Sequence, residues 1–426
     1  MEAPAPKLRL STAERIIGLG RRMSWKQTFA ALRYRNYKLW FWGQMTSLFG
    51  SWMQVTAQGF LLYQLTKSPV YLGLLGFAFG VPTWLFMLFA GVVADRVPRR
   101  RLLIVTQTCM MVLAFVLAGL TFLHAIRPWH ILLLSFGMGI ANAFDAPARQ
   151  AFVLEMVEPA DLTNAIALNG AMFNTATAVG PAVAGVTYAL FGPAWCFVIN
   201  GLSFIAVIAA LLAMKLDPFQ PRTHPSTIAA DLKEGLSYVA HHPMIRTLTA
   251  LVAVISLFGF AFATLMPAWA VRILHGHATL NGLLQSARGL GSLVGALLIA
   301  ALGRFAFRGK LLVVGALSFP MLLIAFSFIR GQILSLVCLF GLGFALILVF
   351  NLANAVVQSL TPDALRGRVM SVYSLVFFGS LPIGSLIIGA MADKFGEPTT
   401  ILVNAFVVLA FTAVIALAVP QVRKLK

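Results

Sequence analysis

Three places in this 426-residue chain set charged side chains among apolar ones. The stretch Gly91-Val-Val-Ala-Asp-Arg-Val-Pro-Arg-Arg-Arg101 packs one acid and four arginines between two uncharged runs, Val70 to Ala94 and Leu102 to Ile126. Asn142-Ala-Phe-Asp-Ala-Pro-Ala-Arg-Gln-Ala151 carries Asp145 and Arg149 at i, i+4, one face of a helix, with Pro147 between them to bend or break it. Arg288 stands by itself in Leu284-Gln-Ser-Ala-Arg-Gly289. Such residues recognise and hold charge: a carboxylate favours the positive end of a helix, and arginine clamps carboxylates through two nitrogens. They do not assemble bond-making chemistry. No Walker loop, dinucleotide fingerprint, His-Glu-x-x-His or Gly-x-Ser-x-Gly is present. His124, His130, His241, His242, His275 and His277 fall at the edges of apolar runs, and His224 in a polar segment, so neither an enzyme nor a metal or cofactor site is expected.

The elements that must position these groups are set by composition. The chain is 60% hydrophobic and 11% charged, with a mean hydropathy of +0.88, whereas soluble domains carry roughly 25% charged residues. A multi-span membrane protein is the class that fits. The net charge of +19 would otherwise suggest nucleic-acid binding, but its placement argues for topology instead. Cys109, Cys196 and Cys338 all lie inside apolar runs without ligand or disulfide spacing, and read as small buried hydrophobes.

Twelve candidate spans are expected at about 39–64, 70–94, 102–126, 129–154, 163–189, 194–214, 247–273, 280–303, 310–329, 332–359, 366–391 and 398–420. A helix rising about 1.5 Å per residue crosses a core about 30 Å thick with runs of this length. Residues 1–38 form a basic leader with no cleavable signal pattern; Trp25, Phe29 and Leu32 lay out either a short amphipathic helix or a flexible tail. Residues 215–246 form a polar link, in which Leu232, Leu236 and Val239 mark a short amphipathic helix. The expected organisation is therefore leader 1–38, six spans in 39–214, link 215–246, six spans in 247–420 and tail 421–426. Twenty-six of the 32 lysines and arginines then fall on the side that holds both termini, which the positive-inside rule makes cytoplasmic. An internal repeat supports the six-plus-six division. Ala94 to Leu103 is echoed by Gly303 to Leu312, and Gly180, Gly185 and Phe191-Gly192 by Gly384, Gly389 and Phe395-Gly396 at equal spacing.

The pattern Gly91, Asp95, Arg96, Arg99, Arg100 resembles the signature loop between the second and third helices of the major facilitator superfamily. The resemblance extends over about 33–420 and implies an all-α fold of twelve transmembrane helices in two six-helix bundles. It implies that Asp95 sits at the cytoplasmic face as a latch to a helix terminus or to arginines of the other half; the alternative is that the arginines only enforce topology. Asp145 and Arg149, with Arg33-Tyr-Arg-Asn-Tyr37, resemble the branch containing enterobactin exporters and related drug-efflux proteins. There the pair either seats the helix end or serves gating or proton coupling. Gly170 and Gly180-Pro181-Ala-Val-Ala-Gly185 are similar, in part, to the glycine-proline motif of antiporters.

An arginine as deep as Arg288 must face a cavity or a partner, unless it snorkels outward. Gln44, Gln54, Asn142, Asn169, Asn174, Gln285, Asn351, Asn354 and Tyr373 are candidates to line that cavity, with Phe262, Met266 and Trp269 for apolar contact. Few fixed charges in a large cavity suit an amphipathic organic molecule. The resulting expectation is a monomeric inner-membrane carrier that exports a small amphipathic compound, drug-like or siderophore-like, by alternating access. Protons are the coupling ion and lipids the surroundings. Uptake or lipid transport on the same fold is the alternative, and a non-transporting scaffold a more distant one. The charge asymmetry makes a direct prediction: a single cysteine placed in 215–246 should react with an impermeant maleimide in inside-out vesicles and stay unlabelled in intact cells.

Overall fold

Proline and glycine decide where the apolar runs turn. Pro69, Pro128, Pro193 and Pro243 each open a helix, where a missing N–H leaves no bond unmade. Gly192 and Gly396 end two long helices with φ of 88° and 79°. They close equivalent turns in the two halves, so the sequence repeat at Phe191-Gly192 and Phe395-Gly396 is a repeat of structure.

The computed structural model describes residues 29–216, 228–302, 307–419 and 421. Its helices are α1 (Arg35–Thr66), α2 (Pro69–Arg96), α3 (Arg99–Phe122), α4 (Pro128–Phe152), α5 (Leu162–Phe191), α6 (Pro193–Ala213), α7 (Ile228–His241), α8 (Pro243–Ile273), α9 (Ala278–Leu302), α10 (Arg308–Phe328), α11 (Gln332–Leu360), α12 (Asp363–Phe395) and α13 (Glu397–Ala418). Trp25, Arg304, His224 and the basic residues of the tail lie outside the described residues; Phe29 precedes a single 3-10 turn, Ala30–Arg33.

Ten helices among the described residues are long and apolar enough to cross a membrane. The other two expected spans coincide with α1 and α5, which are 32 and 30 residues long but are not among those ten. In α1 the polarity is turned inward, where Gln44, Ser47, Gln54, Thr56 and Gln58 are all buried. A polar helix of this kind is stable in a bundle because its amides meet one another and not lipid.

Helix α1 packs on α5 and α6, α2 on α4, and α3 on α4 and α6. Helix α11 packs on α9 and α10, α10 on α13, and α12 on α8 and α13. The two groups meet mainly along two lines, α2 on α12 and α5 on α9. Helix α7 lies against α12 through Gly235 and a half-buried Leu232, with Val239 buried. Leu236, expected on its apolar face, is instead 57% exposed, because the packed stripe runs through 232, 235 and 239.

Helix α8 departs from the uninterrupted span expected at 247–273. A regular stretch, Pro243–Val254, passes into a π turn (Ile255–Gly259), a 3-10 stretch (Phe260–Leu265), one short α turn (Met266–Ala268) and a second π turn (Trp269–Ile273). Pro267 has no N–H to continue the ladder. Phe262, Met266 and Trp269, expected to line a cavity, are buried in the core formed by α8 to α13.

Both lines of contact between the groups need small residues. A Cβ on Gly73 would come within 2.5 Å of the Ser385 carbonyl, and one on Gly282 would collide with the Pro181 carbonyl. Gly282→Val is therefore expected to destabilise this contact by about 1–3 kcal/mol, the usual cost of overpacking. The check is the labelling rate of Ser68→Cys, which lies beside the α2–α12 contact and should react faster with a maleimide in the Gly282→Val background.

Candidate functional site

The glycine contacts between the groups lie in one half of each helix. Along α2 and α12, Gly73, Gly76, Gly80 and Trp84 meet Gly389, Ser385, Pro382 and Gly379. The same face of α2 continues to Gly91, where an added Cβ would meet nothing within 4 Å. Opposite it, Phe378, Ser371 and Gly367 of α12 are exposed. Along α5 and α9, Gly185 meets Ala278 and Thr279, Pro181 meets Gly282, and Thr177 meets Gly289. Beyond them Gly170 faces open space, and Leu297 is 56% exposed. Two helix pairs that converge at one end and splay at the other enclose a cleft. It opens at the end that carries Arg96 to Arg101, Arg149, Arg366 and Arg368, called the basic end below.

At the closed end, the Ser68 hydroxyl donates to Asp393 Oδ1 at 2.7 Å, and Thr264 and Ser385 share a hydrogen bond of 3.1 Å. Tyr63, Leu72 and Ala268 form a small apolar cluster across the groups. Glu397, at the first turn of α13, is buried and paired with Arg272 at 3.1 Å. Sequence reasoning missed this buried acid because it sits just outside an apolar run.

At the basic end, charged residues tie helices together within each group. Arg99 is buried, 2.5 Å from Glu155 and 3.4 Å from Asp95. Arg100 donates to the Leu212 carbonyl at 2.8 Å, satisfying a carbonyl at the end of α6. Arg33 and the Tyr34 hydroxyl both reach Asp161, Asn36 donates to the Lys215 carbonyl, and Tyr37 donates to the Ala165 carbonyl. The Arg33–Tyr37 motif thus fastens the start of α1 to the starts of α5 and the link. Outside the spans, the Tyr34 hydrogen bond and the neighbouring Asp161 charge raise the affinity of Arg33 for its proton. In the other group, Arg368 is held by Asp231 and Glu234 of α7, each at 2.7 Å.

The remaining sequence candidates divide into three sets. Asp145 is 1% exposed, accepts from Thr106 and Gln107 at 2.9 and 2.8 Å, and lies 3.7 Å from Arg149. It is a paired acid between α3 and α4, set inside its group. Gln54 is likewise buried, in a chain of amides and hydroxyls running Asn200–Gln54–Gln58–Ser135 from α6 through α1 to α4. Its partners Gln58, Asn200 and Ser135 were not singled out from the sequence, because an amide in an apolar run does not name the helix it faces. Gly180 packs on Trp52 of α1, whereas Gly185 and Pro181 touch α9, so the glycine-proline stretch joins helices both within a group and across the groups.

The third set stands at or near the cleft. Asn174 lies where α5 begins to splay, and its amide donates to Gly170 of its own helix at 2.9 Å. Asn142 is half-buried on α4, and Asn354 on α11 accepts from Gln358 at 2.6 Å. On α9, Asn281, Gln285, Arg288 and Ser292 recur at i, i+4, i+7 and i+11, a single stripe turned away from exposed Leu283, Leu290 and Val294. Gln285 donates to Asn281 at 3.5 Å, and the guanidinium of Arg288 lies 5.4 Å from the ring centre of Phe260.

Residues 26–426 match the family model described as "Transmembrane secretion effector". The chain is 23% identical to the Staphyloferrin A transporter of Staphylococcus aureus, over 88% of this chain and 94% of that protein. It is 23% identical to the Enterobactin exporter EntS of Citrobacter koseri, over 95% and 97% respectively. Among solved structures, a mutant of the peptide transporter POT superposes with a TM-score of 0.74 at 12% identity, covering 92% of this chain and 96% of that one. At that identity the likeness shows the fold.

The buried amide chain makes a stability prediction. Asn200→Ala leaves the Gln54 carbonyl oxygen without its donor and should cost about 1–3 kcal/mol. Asn174→Ala removes only a bond within one helix and should melt within about 0.5 kcal/mol of the parent. Thermal unfolding of the two purified variants in one detergent decides between them.

Proposed function

Because the chain belongs to the transmembrane secretion effector family of the major facilitator superfamily, we propose that it exports a small amphipathic organic compound across the cell inner membrane by alternating access, with protons moving the other way. It is a multi-pass secondary transporter of small organic compounds. In this reading α1–α6 and α8–α13 are the twelve spans, gathered as two bundles, with the basic leader, the 215–246 link and the tail on the cytoplasmic side. The cation asymmetry supports that orientation.

The observation that carries the mechanism is the one-sided splay of α2 from α12 and of α5 from α9. With the basic end cytoplasmic, the cleft faces inward. The signature acid Asp95 then stands beside Arg99 of its own bundle. The contacts of Gly73 with Gly389, Gly80 with Pro382 and Trp84 with Gly379 set a register. Continued along both helices, it brings Gly91 to Ser371 and Asp95 to Gly367, at the start of α12. Closing the basic end would exchange an intrabundle pair for a contact between a carboxylate and a helix N-terminus, a favourable electrostatic arrangement. That contact would form as Ser68 parts from Asp393.

Export is favoured over uptake by the partial antiporter motif and by the exporter relative. The test uses two cysteine pairs in a background lacking Cys109, Cys196 and Cys338. Ser68→Cys with Asp393→Cys should cross-link in the resting protein, and Gly91→Cys with Ser371→Cys only when the basic end closes. Each cross-link should stop efflux of a substrate panel, and reduction should restore it. Free transport with either pair cross-linked would dispose of alternating access by these helices.

A further inference from the structure

Arg288 is 7% exposed, and its Nε has no hydrogen-bond partner. It is the eleventh residue of the 25-residue α9, which puts it roughly 15 Å along the helix. Among the described residues no carboxylate pairs with it. Asp95 and Glu155 are paired with Arg99, Asp145 with Arg149, Asp161 with Arg33, Asp363 with Arg366, and Glu397 with Arg272, while Asp231 and Glu234 hold Arg368. Its one favourable side-chain contact among the described residues is the face of Phe260, and a desolvated cation over a ring gains only about 2 kcal/mol. That is less than the cost of an unpaired arginine at such depth. A counter-charge is missing, and the surroundings are built to receive one. Asn281 is fully buried two stripe positions away, with Gln285 between, and its Nδ2 is also without a partner.

The neighbouring wall is aromatic. Phe260, on the irregular stretch of α8, meets Phe350 of α11 edge-to-face at 6.2 Å; Phe350 meets Phe377 of α12 at 4.9 Å, and Phe377 meets Phe378 at 5.1 Å. Phe260, Phe350 and Phe377 are each only partly buried, and Phe378 is 42% exposed where α12 begins to splay. One cation with an unpaired donor, and a second unpaired donor on Asn281, therefore stand at the inner end of a strip of rings that runs to the cleft.

We propose that this is the substrate site, and that its ligand is an amphipathic organic anion. The acidic group is received by Arg288 and Asn281, and an aromatic or otherwise flat apolar body lies along Phe260, Phe350 and Phe377. The assignment rests on the export reading and narrows it: cationic amphiphiles are repelled, and neutral ones leave the guanidinium uncompensated. Gln285 positions Asn281 through their shared hydrogen bond.

Three probes with one ring system separate the contributions: 2-naphthoate, 2-naphthalenemethanol and 2-naphthylmethylammonium. Their binding to the full-length protein in nanodiscs is measured by calorimetry. The anion should bind at least about tenfold more tightly than the cation, a factor that one charge-assisted hydrogen bond can supply. Arg288→Gln should erase the preference and Arg288→Lys should keep part of it. Phe350→Ala should weaken anion and alcohol alike. Equal binding of anion and cation, no binding of any probe, or an unchanged preference in Arg288→Gln would each overturn the assignment. The Ser68–Asp393 and Gly91–Ser371 cysteine pairs, introduced separately into every variant, report folding and alternation. Their cross-linking with no charge preference condemns this site and leaves the transporter reading intact.

Discussion

In hydrocarbon nothing squeezes helices together, since lipid tails are as apolar as leucine. Association depends on close packing and on polar contacts. The two lines where α2 meets α12 and α5 meets α9 are therefore the points on which the arrangement turns. Their glycines bring backbone to backbone, as at Gly389 against Gly73 and Gly282 against Pro181. Contact of that kind is strong over a short length and is lost at once when a helix tilts. That suits a joint better than a permanent seam.

A joint works only between stiff bodies, and the polar residues stiffen each group from inside. Asn200, Gln54, Gln58 and Ser135 bolt α6, α1 and α4 together, while Asp145 does the same for α3 and α4. Arg99, Arg100 and Arg33 direct their charge to Glu155, the Leu212 carbonyl and Asp161 of the same group. Unsatisfied, each of these groups would be costly in a low-dielectric interior; satisfied, each fixes a helix register. The signature loop thus serves two ends. Arg99 and Arg100 are structural ties within one half, and Asp95 lies at the margin of that network, on the face where α2 has left α12.

Much of this was legible in the residues. The limits of the apolar runs, the basic loops, the turn glycines at 192 and 396 and the depth of Arg288 all follow from local composition, which acts on each helix separately. What escaped is relational. Phe262, Met266 and Trp269 have the chemistry of a cavity wall, yet the irregular path of α8 turns them into the core and leaves Phe260 beside Arg288. An uninterrupted helix was the simplest reading of 247–273, and nothing short of its packing around Pro267 reveals two π turns. Gln54 has the composition of a cavity residue, but its partner on α6 is 146 positions away. Glu397 went unnoticed because a charge beside an apolar run normally marks a wet loop, whereas here the turn at Gly396 folds it under Arg272.

The two halves differ in a way that the shared architecture conceals. In the first half the buried charges meet opposite charges: Arg99 has Glu155 and Asp95, and Asp145 has Arg149. Among the described residues, the second half leaves Arg288 buried without a carboxylate, two turns from an Asn281 amide nitrogen that also lacks a partner, in a helix whose Arg288 lies over Phe260 of the irregular stretch of α8. A protein selected for stability alone would replace that arginine with leucine. An interior charge left unpaired in one half, while the interior charges of the other are paired, is the pattern expected when the missing partner arrives from outside. Irregular backbone is tolerated at membrane depth for a related reason, since it needs a buried or water-lined setting to satisfy its carbonyls. The unpaired arginine, the broken helix and the aromatic strip thus become one feature: a half whose charge awaits a visitor, resting against a half whose charges are already matched.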